Sequence, residues 1–177
     1  DVDRKKVPVG EGDIKYPVDW STLDGYLRKL EARGIAPNVA SFVGAGVVRS
    51  NLLGERDIQP TPAQLQSMRV LVRQAMEQGA LGLTTALIYS PNQYAKTPEL
   101  IALAKQSAAC GGIYIAHMRS EGDRLLEDVD ETIEIAKASG APAEIYHLKL
   151  AGQDNWGKFE PLVAKIEAAR ASGVRIS

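Results

Sequence analysis

The chain has 177 residues, 45% of them hydrophobic and 24% charged, with a formal net charge of −1. That is enough for one globular domain with a real core, and so small a charge selects neither nucleic acid nor an anionic membrane as a partner. No apolar run approaches the roughly 20 residues of a membrane span, the N-terminus reads without a signal-peptide core, and the single cysteine, Cys110, fits a reducing compartment. Cytoplasmic residence is the expectation.

The basic cluster "DRKK" (3–6) reads as a solvated face. The first helix is expected in "STLDGYLRKLEARG" (21–34), with Ser21 as N-cap, Leu23, Tyr26, Leu27 and Leu30 on one stripe and Gly34 as the stop. "NVASFV" (38–43) reads as a strand. In the next helix Thr61 precedes Pro62, Gln64 completes a capping box, and Gly79 ends the run. A strand follows in "ALGLTTALI" (80–88), then a helix opening on Thr97, Pro98 and Glu99. "GIYIAH" (112–117) is a strand, 123–139 a helix stopped at Gly140, "AEIYHLKL" (143–150) a strand, 157–172 a helix stopped at Gly173, and "VRIS" (174–177) a last strand.

Short, mostly apolar strands bounded by Gly or Pro suit a parallel sheet covered on both faces. The later strand starts recur every 31 or 32 residues, about one βα unit, with no sequence repeat. The fold class is α/β. A five-stranded doubly wound domain is one solution; a portion of a (β/α)8 barrel, which needs eight strands and about 250 residues, is the other. The last strand stops four residues after Gly173, which favours an internal portion of a longer protein.

The chain has two histidines, and both end similar strands: "GIYIAH" at His117 and "AEIYH" at His147. Strand alternation predicts that Ile113, Ile115 and His117 share one face, and that Ile145, His147 and Lys149 share one. If the strands are neighbours, about 4.8 Å apart, the imidazoles can approach one ion. The C-terminal ends of parallel strands are where α/β folds place their chemistry. A catalytic zinc needs about three protein ligands and an open position; Glu121, Asp123 and Asp154 lie just past the strand ends as possible carboxylates, or as loop charges. Each histidine is alternatively a partly buried residue bonded to its loop. Lys149 meets an anion, forms a Schiff base, or snorkels to the rim. Cys110, at the other end of the sheet, is expected as a small buried hydrophobe and not a ligand.

Four stretches carry a resemblance: "YPVDWSTLDGYLRKLEARGIAPNVASFVGAG", "PTPAQLQSMRVLVRQAMEQGALGLTTALIYSP", "YIAHMRSEGD" and "YHLKLAGQDNWGK". An HxRxE strand end, a gap of thirty residues and HLK followed by NWGK make the most specific combination. The chain resembles the N-acyl-D-amino-acid deacylase (D-aminoacylase) family of the amidohydrolase superfamily. The resemblance implies that residues 1–177 are the central portion, about strands 3 to 7, of a zinc-dependent (β/α)8 TIM-type barrel, truncated at both ends relative to the family. It implies that His117 and His147 are the metal ligands of the fifth and sixth strands and that Lys149 binds the carboxylate of the acylated amino acid. Arg119 and Glu121 match the strand-end pair beside the first histidine, as site support or as a surface ion pair.

The family's HxH pair, its metal-binding cysteine and its general-base aspartate have no counterpart here, so no catalytic base is expected in this chain. Cys110 does not match the family's cysteine. Where relatives tend to read VGHG this chain reads "VGAG", with Ala45 in the histidine's place, which bears on loop support or substrate contact. The implied reaction is zinc-dependent hydrolysis of the amide bond of an N-acyl-D-amino acid, a small-molecule substrate. A Schiff-base barrel enzyme using Lys149 and a non-catalytic scaffold are the alternatives.

Overall fold

Four short strands, β1 (Val43–Gly44), β2 (Gly82–Ala86), β3 (Ile113–His117) and β4 (Ala143–Ile145), run parallel in one sheet in the order β1-β2-β3-β4. The computed structural model describes residues 18–177, and the "DRKK" cluster lies outside them. A doubly wound sheet reverses its strand order at a switch point. An unreversed order is the way a (β/α)8 barrel grows, one βα unit beside the last. Residues 174–177 continue that order as a single parallel bridge, Ala143 to Ile176, flanked by Ala143 N–H to Arg175 O and Ile145 N–H to Ser177 O, each 2.8 Å.

Six α-helices accompany the strands, two of them in succession between β1 and β2: α1 (Leu23–Arg33), α2 (Ala45–Leu53), α3 (Pro62–Glu77), α4 (Thr97–Ala108), α5 (Leu125–Ser139) and α6 (Phe159–Ala171). The predicted capping box on α3 forms in both directions, Gln64 N–H to Thr61 Oγ1 and Thr61 N–H to Gln64 Oε1. Gly140 ends α5 in the left-handed region, φ 77°, which glycine enters without a Cβ penalty. Two caps fall elsewhere than expected. Thr22 caps α1 in place of Ser21. Lys96 occupies the cap position of α4, while the Thr97 hydroxyl donates to Glu131 across to α5.

Five elements also differ from the sequence reading. The strands expected over 38–43, 80–88 and 143–150 are shorter, because the edges of those runs leave the sheet for turns. Helix α2 starts directly from "VGAG" with no side-chain cap, so no polar signal marks it; Ala45, Val48, Arg49 and Leu53 are buried on it. The helix expected at 157 is preceded by a 3-10 turn, Gln153–Lys158.

Register assigns the faces. Leu83, Tyr114 and Ala143 align across the sheet, as do Ala116 and Ile145; all belong to the helix-covered core with Met68, Leu100, Leu103 and Val129. Tyr114 is fully buried there and its hydroxyl lies 3.0 Å from Thr85 Oγ1, so the phenol has a partner. The opposite face carries Thr84, Ala86, Ile115 and His117. Ile145 therefore lies on the face away from His117, contrary to the alternation argument. Cys110 is exposed, not buried, since it follows the end of α4 in the turn that leads to β3. Arg49 on α2 and Glu99 on α4 form a buried ion pair at 2.6 Å.

Candidate metal centre

His117 is the last residue of β3, on the face that carries no core helix. His147 sits two residues beyond β4, in a turn, with φ 37°; among the described residues it is the only non-glycine in the left-handed region. Histidine tolerates that region better than β-branched residues do. Continued strand geometry would have sent the residue after Tyr146 toward the helices. The turn instead swings the His147 ring to His117: Nδ1 of His117 and Nε2 of His147 are 2.8 Å apart, and the rings meet edge to face at 4.6 Å between centroids.

Glu121, from the loop after β3, closes the group. Its Oε1 lies 2.8 Å from His147 Nδ1 and 4.0 Å from His117 Nδ1, and it accepts a hydrogen bond from Lys149 Nζ. Lys149 Nζ also lies 2.9 Å from His147 Nδ1 and is half exposed. Both the Glu121 carboxylate and the Lys149 ammonium sit against His147 Nδ1, and of the two the lysine contact has hydrogen-bond geometry. His117 Nδ1 and His147 Nε2 share one proton, and His117 Nε2 takes no part in that contact. That atom is buried and has no hydrogen-bond partner. A buried, unpartnered imidazole nitrogen is costly unless something fills it.

Burial holds the His117 imidazole below its ordinary pKa, and the nearby His147 and Lys149 act in the same direction; Glu121 opposes them more weakly than burial acts. The neutral ring, the ligating form, is thus favoured at neutral pH. One donor atom each from His117, Glu121 and His147 lies within 4.8 Å of the others. Two imidazole nitrogens and a carboxylate oxygen suit zinc. A carboxylate on the far nitrogen of a ligating histidine is also the usual way such a ring is oriented. The residues present fit a divalent metal.

The remaining candidates separate. Arg119 turns away from Glu121 to Glu131 on α5, at 2.7 and 3.0 Å, and donates to the carbonyls of Gln93 and Ala95. Asp123 bonds Asn155 at 3.3 Å, and Asp154 is exposed. Ala45 is buried at the first turn of α2. Sequence reasoning passed over Tyr89 and Tyr146. The Tyr89 ring lies 5.5 Å from His117, and that of Tyr146 is stacked 6.0 Å from His147. The position of Tyr89, just past β2, was the available signal.

No protein-family model matches the chain. The D-aminoacylase of Alcaligenes xylosoxydans xylosoxydans is 36% identical over 82% of this chain and 30% of its own length. The N-acyl-D-glutamate deacylase of the same organism is 34% identical over 86% and 31%. The crystal structure of N-acyl-D-glutamate deacylase from Bordetella bronchiseptica, complexed with zinc and a phosphonate inhibitor, superposes with a TM-score of 0.85 at 31% identity, over 88% of this chain and 33% of that one. A crystal structure of D-aminoacylase, described as defining a novel subset of amidohydrolases, gives 0.84 at 30% over 97% and 38%. The chain's homologues are thus a D-aminoacylase and an N-acyl-D-glutamate deacylase, and its structural neighbours belong to the amidohydrolase family. The chain spans about a third of the length of the relatives it matches, and its unreversed sheet is accordingly part of a (β/α)8 barrel. Another solved member of the family is described by its binuclear metal centre, so metal binding is a property of these neighbours.

Proposed function

We propose that these residues belong to a zinc-dependent hydrolase that cleaves the amide bond of N-acyl-D-amino acids, with His117 and His147 as metal ligands. The observation that carries the reading is the convergence of the two imidazoles at 2.8 Å beside a buried, unpartnered His117 Nε2. Zinc, when bound, supplies Lewis acidity, polarising a carbonyl and making water a stronger acid. His117 and His147 would hold it with ring nitrogens. Glu121 keeps the His147 ring oriented through Nδ1.

Lys149 is assigned to the carboxylate of the substrate. It stands at the rim, half exposed, and already pairs with a carboxylate, that of Glu121. The ammonium end of the pair reaches solvent, and Glu121 keeps the His147 imidazole beside it, so the ammonium can turn to the carboxylate of a substrate. Anchoring the carboxylate fixes how the substituents of the chiral carbon face the metal, which is how one charge contact contributes to orientation. A Schiff-base role for Lys149 is the less favoured reading. Such a lysine is activated by an apolar pocket or a neighbouring cation, and here it faces Glu121 and solvent.

The activity is assigned to the full-length protein that carries these residues. Alone, the 177 residues hold two imidazoles and none of the family's general-base aspartate, and no turnover is expected from them. The test is hydrolysis of N-acetyl-D- against N-acetyl-L-amino acids by the full-length protein, before and after chelation. The expected result is cleavage of the D form, lost with chelator and restored by zinc. Chelator-insensitive cleavage, or a borohydride-trapped adduct on Lys149, would overturn the reading.

A further inference from the structure

Two loops deliver the candidate centre: 118–124, after β3, carries Glu121, and 146–152, after β4, carries His147 and Lys149. We propose that Asn155 and Lys158, from the "NWGK" turn, are positioning residues that clasp these loops together and so hold Glu121 against His147 and Lys149. The proposal rests on the metal-centre reading for its function, and on the hydrogen bonds below for its geometry.

The Asn155 side chain is 6% exposed and uses both ends of its amide. Its Nδ2 donates to Ala151 O at 2.7 Å in one loop and to Asp123 Oδ1 at 3.3 Å in the other; its Oδ1 accepts from Lys158 Nζ at 2.6 Å. The Lys158 ammonium then donates to Asp123 O at 2.8 Å and Gly122 O at 3.2 Å. Its three donors thus go to a side-chain amide and two backbone carbonyls. A lysine placed this way fixes backbone position. The carbonyls it holds are those of the two residues directly after Glu121. The loops also bond each other, Ala151 N–H to Glu121 O at 2.7 Å.

The local sequence is shaped to admit the clasp. A Cβ on Gly122 would lie 3.3 Å from Asn155 Nδ2, and Gly152 needs φ 84° to turn the chain back toward Asn155. Apolar anchoring is thin: Leu148 is exposed, and of residues 146–152 only Leu150 packs against the core. Polar ties therefore set where this loop lies. If they fail, Glu121 and Lys149 drift from His147 Nδ1, and the ring loses the contacts that hold it in a single tautomer facing His117.

The test uses the full-length apo protein and its Lys158→Met, Asn155→Ala and Lys158→Arg variants. Two readouts are taken: the histidine side-chain nitrogen NMR signature of His147, and zinc affinity by competition with a chromophoric chelator. Lys158→Met and Asn155→Ala should lose the single-tautomer signature and bind zinc about 10- to 100-fold more weakly, the usual effect of removing outer support from a metal site. Lys158→Arg, which keeps the donors, should stay close to the parent. An unchanged His147 signature and zinc affinity in Lys158→Met overturn the proposal, whatever happens to thermal stability. A parent that binds no zinc, with variants that still lose the signature, removes the metal reading and leaves the clasp standing.

Discussion

His117 is neutral in the fold because burial outweighs the pull of Glu121, and this has a consequence for acid stability. An unfolded imidazole takes up its proton near the ordinary value of 6.5; the folded ring does so only at lower pH. Between those two points the unfolded chain binds more protons, so stability falls as pH drops below about 6.5 and is fully present above it. Urea midpoints measured from about pH 7.5 to about pH 5.5 should decline with acid, and the His117→Asn variant should show a shallower decline. A parent whose midpoint is the same at both ends would contradict the assignment. At this scale the pair was legible in the thirty-residue spacing of two similar strand ends. How the two rings meet was not. Alternation put Ile145 and His147 on the face of His117, whereas register puts Ile145 on the helix side and the positive φ at His147 brings the ring round. A single left-handed residue has no periodicity to read.

Elements were legible where a polar side chain marks their ends. The capping box at Thr61 and Gln64, and the stop at Gly140, follow from residue chemistry that acts within four positions. Helix α2 was not legible, because it begins without a cap, and what secures it is remote in sequence: Arg49 reaches Glu99 on α4 and the carbonyl of Ile58. Both side chains of the pair are almost wholly buried. Glu99→Ala, which strands a buried guanidinium, should cost about 3–5 kcal/mol in denaturant unfolding. The double replacement Arg49→Met/Glu99→Leu should recover most of that loss, since removing both charges leaves neither uncompensated. A double variant as unstable as the single one would show that packing, not the stranded charge, sets the cost.

For the molecule as a whole, the α/β class and the βα rhythm were readable from Gly-bounded apolar runs, but strand order was not, since two windings share that rhythm. The order β1-β2-β3-β4 decides for the barrel, and the D-aminoacylase relatives agree at TM-scores of 0.84 and 0.85. Among the described residues no helix is long and apolar enough to cross a membrane. A barrel gathers its chemistry at the C-terminal ends of several strands, and here β3 and the turn after β4 supply one imidazole each. The most direct measurement is the zinc content of the full-length protein beside its His117→Ala and His147→Ala variants, each checked for folding. Zinc in the parent and its loss from both variants is the predicted result. Zinc retained in both, or absent from a folded parent, would contradict the metal centre and the proposed reaction with it.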